Sequence, residues 1–138
     1  MDRPRYLFDT NQLSALIKHP VSRLAERVAA LDSEAFCTSV IVACELRYGT
    51  LKKGSPRLID KVDKLLAQVK VLPLDARVEP HYAEIRVALE KAGQPIGHND
   101  LLIAAHARAL TLTLVTDNLS GFSRVSGLAV ENWLIADV

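Results

Sequence analysis

Short apolar runs alternate along the chain with longer stretches in which apolar residues recur every three or four positions, and that pattern predicts strands and helices in turn. Arg5 to Phe8 reads as a strand, ended by Asp9-Thr10-Asn11, three residues that favour turns and helix N-caps. Leu13, Leu16 and Ile17 then have helical spacing; Pro20 interrupts them, and Leu24, Val28 and Leu31 continue the pattern in a second helix. Ala35 to Thr38 is a short buried strand. Ser39 is placed to cap a helix through roughly Tyr48, with Gly49 or Gly54 as its stop. After Ser55-Pro56, the positions Ile59, Val62, Leu65, Leu66 and Val69 mark another helix, and Val69 to Leu72 leads into Pro73 as a strand. Asp75 is placed to cap a helix that carries Val78, Tyr82, Ile85 and Leu89 on one face and stops at Gly93. Gly93 to Gly97 is loop, Asn99 predicts the cap of a helix from about Asp100 to Ala109, and Leu112 to Thr116 is a β-branched strand. A last strand is expected at Leu128 to Val130, after a turn at Ser126-Gly127.

Strand and helix thus alternate from end to end, and the strands are continuous apolar runs, as in sheets covered on both faces. That order predicts an α/β sandwich around a mostly parallel sheet. The 138 residues, 49% of them apolar, suffice for one core, so a single domain over residues 1–138 is expected. No uncharged apolar stretch approaches the ~20 residues of a membrane span, and no signal-peptide segment is evident, so a soluble, cytoplasmic protein is expected. Cys37 and Cys44 lie in apolar surroundings without Cys-x-x-Cys spacing and read as buried thiols. Net charge is only +1, which carries no global signature for nucleic acid. Locally, seven basic residues stand against three acidic ones from Glu45 to Lys70. Such a stretch is either a solvated helical face laced with i,i+4 charge pairs or a phosphate-contacting surface.

The chemistry concentrates in four isolated carboxylates. Asp9 and Asp117 follow the apolar runs Tyr6-Leu7-Phe8 and Leu112 to Thr116, and so fall at the carboxyl ends of strands, where open parallel sheets bind ligands. Asp100 opens a helix. Glu45 lies inside Val42-Ala43-Cys44-Glu45-Leu46, on a helix expected to be buried on most sides, where an unpaired carboxylate costs several kcal/mol or is neutralised. Taken singly, Asp9 and Asp117 also fit turns and Asp100 a helix start. If they meet, their repulsion calls for a divalent cation, and all-oxygen ligands select Mg2+ or Mn2+. The matching reaction is phosphoryl or phosphodiester hydrolysis, with the metal activating a water. Thr10, Asn11, Thr116 and Asn118 flank the strand-end aspartates and could hydrogen-bond metal waters or phosphate oxygens. His19, His81, His98 and His106 form no zinc-type spacing, and no glycine-rich phosphate loop is present.

Four segments in order, Leu7-Phe8-Asp9-Thr10-Asn11, Ser39-Val40 through Glu45-Leu46-Arg47-Tyr48-Gly49, Gly97-His98-Asn99-Asp100 with Ile103 to Ala107, and Val115-Thr116-Asp117-Asn118, resemble the acidic motifs of PIN-domain ribonucleases. The likeness is to VapC-type toxins of type II toxin–antitoxin systems and spans nearly the whole chain. It implies a three-layer α/β/α fold with a parallel sheet and a Mg2+- or Mn2+-dependent endoribonuclease activity. It also implies inhibition by a cognate VapB-type antitoxin, through which DNA would be met only indirectly, and a homodimer. Asp9 and Asp100 look like the principal metal-site carboxylates, Glu45 a third, and Asp117 a fourth that acts through water. Gln94-Pro95-Ile96-Gly97 and Trp133 resemble the subgroup that cleaves initiator tRNA in its anticodon loop, while His98-Asn99 departs from the usual residues of that motif. Arg47, Lys52 and Lys53 are then candidate RNA phosphate contacts. Two other readings remain at this stage. One is a phosphatase with Asp9 as nucleophile, although Asn11 stands where such enzymes carry a second aspartate; the other is a non-catalytic interaction module associated with nucleic acid.

Overall fold

The expected alternation is realised over residues 4–134, which the computed structural model describes. Strand β1 (Tyr6–Phe8) passes directly into α1 (Thr10–Lys18), because extended Asp9 occupies the N-cap and its side chain accepts the Thr10 N–H. Helix α2 (Arg23–Ala29) starts under a Ser22 cap, and a 3-10 turn at Ser33–Ala35 leads to β2 (Phe36–Ser39). Ser39 caps α3 (Val40–Lys53); α4 (Pro56–Gln68), with proline in its first turn, runs into β3 (Lys70–Leu72). The second half comprises α5 (Val78–Lys91), α6 (His98–Ala109), β4 (Thr113–Val115), the four-residue α7 (Leu119–Phe122) and β5 (Val130–Glu131).

The strands form one sheet in the order β3-β2-β1-β4-β5, and every neighbouring pair is parallel. Leu7 and Phe8, Cys37 and Thr38, and Leu114 and Val115 are buried at consecutive positions. Side chains on both faces of the sheet are therefore covered, which is the three-layer arrangement. Phe8 anchors one layer, meeting Phe36 and Trp133 edge-on with ring centroids 4.5 and 5.1 Å away. The chain builds outward from β1 through β2 to β3, then returns to the other side of β1 for β4. That reversal opens a crevice outside the carboxyl ends of β1 and β4.

Several local expectations are corrected. Helix α3 continues through Gly49, whose cost of about 1 kcal/mol in a helix interior is outweighed by packing on α1, α4 and α6. It stops at Gly54, which adopts the left-handed conformation (φ +67°) of a C-cap. Asp75 does not cap α5: it accepts the Arg77 N–H at 3.0 Å and holds the Arg77 guanidinium at 2.8 Å, and the helix begins without a side-chain cap. Gly97 rather than Asn99 takes the N-cap position of α6, which moves Asn99 into the first turn. The last strand lies at Val130–Glu131, where its register opposite Leu114 and Val115 is set by pairing with β4. Helix α7 is too short for a periodicity and was not anticipated; Asn118 caps it by accepting the Gly121 N–H at 3.2 Å. Cys37 is buried as expected, but Cys44 is exposed, because α3 turns only Val42, Ala43 and Leu46 to the core. Val62 is core and Leu65 packs against it, and Val62 and Leu58 both line a surface cleft.

Candidate active site

Asp9 leaves β1 with its N–H still donating to the Val115 carbonyl at 2.9 Å, so pairing with β4 persists one residue past the strand and fixes the backbone of the site. The residue is only 8% exposed; Oδ1 accepts the Thr10 N–H at 2.7 Å and Oδ2 the Thr116 hydroxyl at 2.8 Å. Thr116 Oγ1 accepts the Asn118 N–H at 3.1 Å, so one buried hydroxyl both orients Asp9 and shapes the turn bearing Asp117. Burial raises the Asp9 pKa above the usual carboxylate range. The Thr10 and Thr116 hydrogen bonds oppose that rise, while the charges of Glu45 and Asp117 add to it.

The other carboxylates arrive from three further segments. Asp100, in the first turn of α6, has its pKa pushed up to about 6, chiefly by burial and then by the charges of Asp9 and Glu45. Glu45 projects from α3: Oε1 accepts the Thr10 hydroxyl at 2.7 Å and Oε2 the Asn99 amide at 3.4 Å. The expectation that α3 is buried on most sides does not hold. Glu45 is half-buried, and farther along the helix Tyr48 and Leu51 are 65% and 71% exposed. Glu45 therefore gains polar partners at the crevice instead of paying for isolation in the core. Asp117, exposed beyond β4, accepts the Asn11 amide at 3.2 and 3.1 Å. Thr10, Asn11 and Thr116 thus each hold a carboxylate, whereas the Asn118 side chain serves α7. Among the described residues no group of three or more His, Cys, Asp or Glu side chains is close enough, as the side chains stand, to hold a metal ion. What the fold assembles is a set of carboxylates near enough to repel one another, Asp9 with Glu45 and Asp117, and Asp100 with Asp9 and Glu45, oriented by hydroxyls and amides.

The basic candidates separate. Arg47 is ion-paired with Asp63 of α4 at 2.6 Å, and Lys64 with Asp60 at 2.9 Å, so much of the basic stretch is the charge-paired helical face. The Lys52 ammonium lies 5.7 Å from the Tyr48 ring centroid. Lys53 lines a cleft of about 170 Å3 between α1, α3 and α4, together with Thr10, Ser14, Lys18, Glu45 and Leu46. Lys18 and Ser14 were not singled out from the sequence. Their signal was there, since Thr10, Ser14 and Lys18 recur every four residues and share one helix face. Asn99 was missed as a site residue because its contact with Glu45 depends on how α6 meets α3.

A parallel α/β/α sheet whose point of reversal carries a buried aspartate within electrostatic reach of further carboxylates defines an α/β domain with an acidic crevice. The PIN domain family model matches residues 6–128. The chain is 38% identical over 130 residues to ribonuclease VapC2 of Rickettsia felis, covering 93% of this chain and 97% of that one. It is 34% identical over 130 residues to the tRNA(fMet)-specific endonuclease VapC of Salmonella typhimurium, covering 94% and 98%. Its structure is similar to that of DNA-bound VapBC from Salmonella typhimurium, with a TM-score of 0.88 at 34% identity over 94% of this chain and 98% of that one. The chain belongs to the PIN-domain family and, within it, to the VapC ribonucleases.

Proposed function

We propose that this protein is a Mg2+- or Mn2+-dependent endoribonuclease that hydrolyses a phosphodiester bond in tRNA, with the anticodon loop of initiator tRNA as the leading target. It acts as the toxin of a type II toxin–antitoxin pair, in the cytoplasm, as a homodimer held inactive by a VapB-type antitoxin that supplies the contact with DNA. The observation that carries the reading is the approach of Asp9, Asp100, Glu45 and Asp117 from four segments to one crevice, with Asp9 driven toward protonation by burial and by the charges of Glu45 and Asp117, and Asp100 by burial and by those of Asp9 and Glu45.

The chemistry of the donor set suits a hard divalent cation. It is all oxygen, and it carries repulsion that a cation would relieve. Bound there, Mg2+ or Mn2+ would offset phosphate charge and lower the pKa of a water. The chain's own residues do the rest. Asp9, with one lone pair on each oxygen committed to Thr10 and Thr116, would be a rigid ligand, and Asp100, half-buried in the first turn of α6, would be the second carboxylate to hold the ion. Glu45 and Asp117, held by Thr10, Asn99 and Asn11, would orient the waters of a bound ion. Lys53 and Lys18 offer cations along the cleft that leads away from Glu45. Single-stranded or loop RNA suits this crevice, because its backbone can be splayed toward the carboxylates. A phosphatase with Asp9 as nucleophile is disfavoured: Asn11, where a second acid would stand, is engaged with Asp117.

The test is cleavage of a labelled total tRNA pool by antitoxin-free protein in Mg2+, Mn2+ or EDTA, beside Asp100→Asn. Discrete metal-dependent fragments that vanish in the variant support the reading, and their ends map the target. Metal-independent cleavage, or full activity in the folded variant, would overturn it.

A further inference from the structure

Helices α3 and α6 carry Glu45 and Asp100, and the two helices touch through two polar contacts. At the crevice the Asn99 amide reaches Glu45 Oε2 at 3.4 Å. In the interior, His106 Nδ1 and Ser39 Oγ lie 2.9 Å apart, both side chains at most 1% exposed. The spacing of the contacts is matched. Ser39 to Glu45 is six residues, His106 back to Asn99 is seven, and at 1.5 Å per residue these are about 9 and 10 Å of helix. The helices therefore run antiparallel with their rises in step, and the buried contact lies one to two turns behind the carboxylates.

Ser39 Oγ already accepts the Ile41 N–H at 3.1 Å as the cap of α3. Ser39 Oγ keeps both its proton and a second lone pair for His106 Nδ1, so the contact is a hydrogen bond in either tautomer of the neutral ring. Burial lowers the His106 pKa and favours that neutral ring; Asp75 opposes the shift and Arg77 adds to it. Nε2 meets no acceptor in good hydrogen-bonding geometry, the Pro73 carbonyl acting on the ring from a poorer one. The ring brings a buried Nε2 that an apolar side chain would not, so it is costly as packing alone. Its specific contribution is the bond to Ser39, which ties the start of α3 to the far end of α6.

We propose that Ser39 and His106 are a positioning pair: their buried hydrogen bond sets the register of α6 against α3 and thereby the spacing between Asp100 and Glu45. A slip of one helical turn would carry Asp100 about 5.4 Å from its place, beyond the tolerance of a shared ion or water. The inference rests on the metal-dependent reading above and concerns neither residue as a participant in chemistry.

The experiment compares wild type with His106→Leu, Ser39→Ala, the double variant and His106→Gln, whose amide oxygen can still accept the Ser39 hydroxyl. For each, Mn2+ affinity is measured by calorimetry, kcat and KM on tRNA by single-fragment assay, and Tm in EDTA. Loss of the pair should weaken Mn2+ binding on the order of tenfold, as for other groups that orient metal ligands, and lower kcat with KM for RNA unchanged. The double variant should be no worse than Ser39→Ala, which also removes the α3 cap, and His106→Gln should recover both metal affinity and kcat. If His106→Leu does not fold, Ser39→Ala and His106→Gln give the same comparison. Variants that bind Mn2+ as wild type does, or a loss that merely follows Tm and is not recovered by His106→Gln, would overturn the pair. A wild type that binds no Mn2+ would instead overturn the nuclease reading on which it rests.

Discussion

At Asp100 the cost of assembling like charges falls on one side chain. Its pKa is about 6 in the folded chain against 3.8 for an ordinary aspartate, so between those values the folded state holds a proton that the unfolded state has released. Stability from this group is therefore full below pH 4 and lost as pH rises through 6. Asp100→Asn removes the charge while keeping the shape. In EDTA at pH 7 it should raise stability by about 1–2 kcal/mol, after discounting a partly exposed group for solvent screening, even as cleavage is abolished. The Tm in EDTA at pH 4.5 and 7 checks this, and a variant with the wild-type pH dependence would refute the repulsion. Thr116→Val tests the opposite kind of residue. It removes the hydroxyl that holds Asp9 and the Asn118 N–H without changing volume. We expect a loss of about 1–3 kcal/mol by chemical denaturation and a fall in metal affinity of at least ~10-fold. The four carboxylates were legible one by one, since each interrupts or borders an apolar run. Glu45's partner Asn99 and the cleft residue Lys18 were less so, because a side chain's role there depends on which helix lies opposite.

Helix α3 shows how far an element can be read from its own residues. Its start at Ser39 follows from the cap, but two glycines compete for its end, and only position 54 takes the left-handed conformation that a glycine permits. Nothing lies within 4 Å of a Cβ built at Gly54, so Gly54→Ala tests backbone strain alone. It should cost about 1 kcal/mol in urea denaturation with activity unchanged, and a neutral result would mean that the helix end relaxes. The same helix misled on burial. Apolar residues at Tyr48 and Leu51 look like core in a sequence window, yet helical periodicity places them opposite Val42, Ala43 and Leu46, on the face that α1, α4 and α6 leave open. Helix α7 and the two-residue strand β5 escaped because elements so short have no period; β5 exists only where β4 offers it a partner.

For the molecule as a whole, the order of strands decides what the carboxylates can do together. With β1 between β2 and β4, Asp9 stands beside the end of β4, and the helices after β1 and β2 bring Thr10 and Glu45 to the same crevice. The cleft that continues from Glu45 is flanked by Lys18 and Lys53, so replacing both with glutamine should raise KM for RNA several-fold and flatten its dependence on salt. Mn2+ affinity in the same variants should be unchanged; a fall would place the lysines in the metal site instead. Local rules determined the alternation of strand and helix, the α/β class and the four acidic positions, because caps, apolar periods and strand-end aspartates act over a few residues. Tertiary structure alone decided that α3 is open on one face, that Arg47 spends its charge on Asp63 while Lys53 faces the cleft, and that Asn99 meets Glu45. Those outcomes depend on contacts between segments distant in the chain, where a small change in helix register or facing moves a side chain from one partner to another.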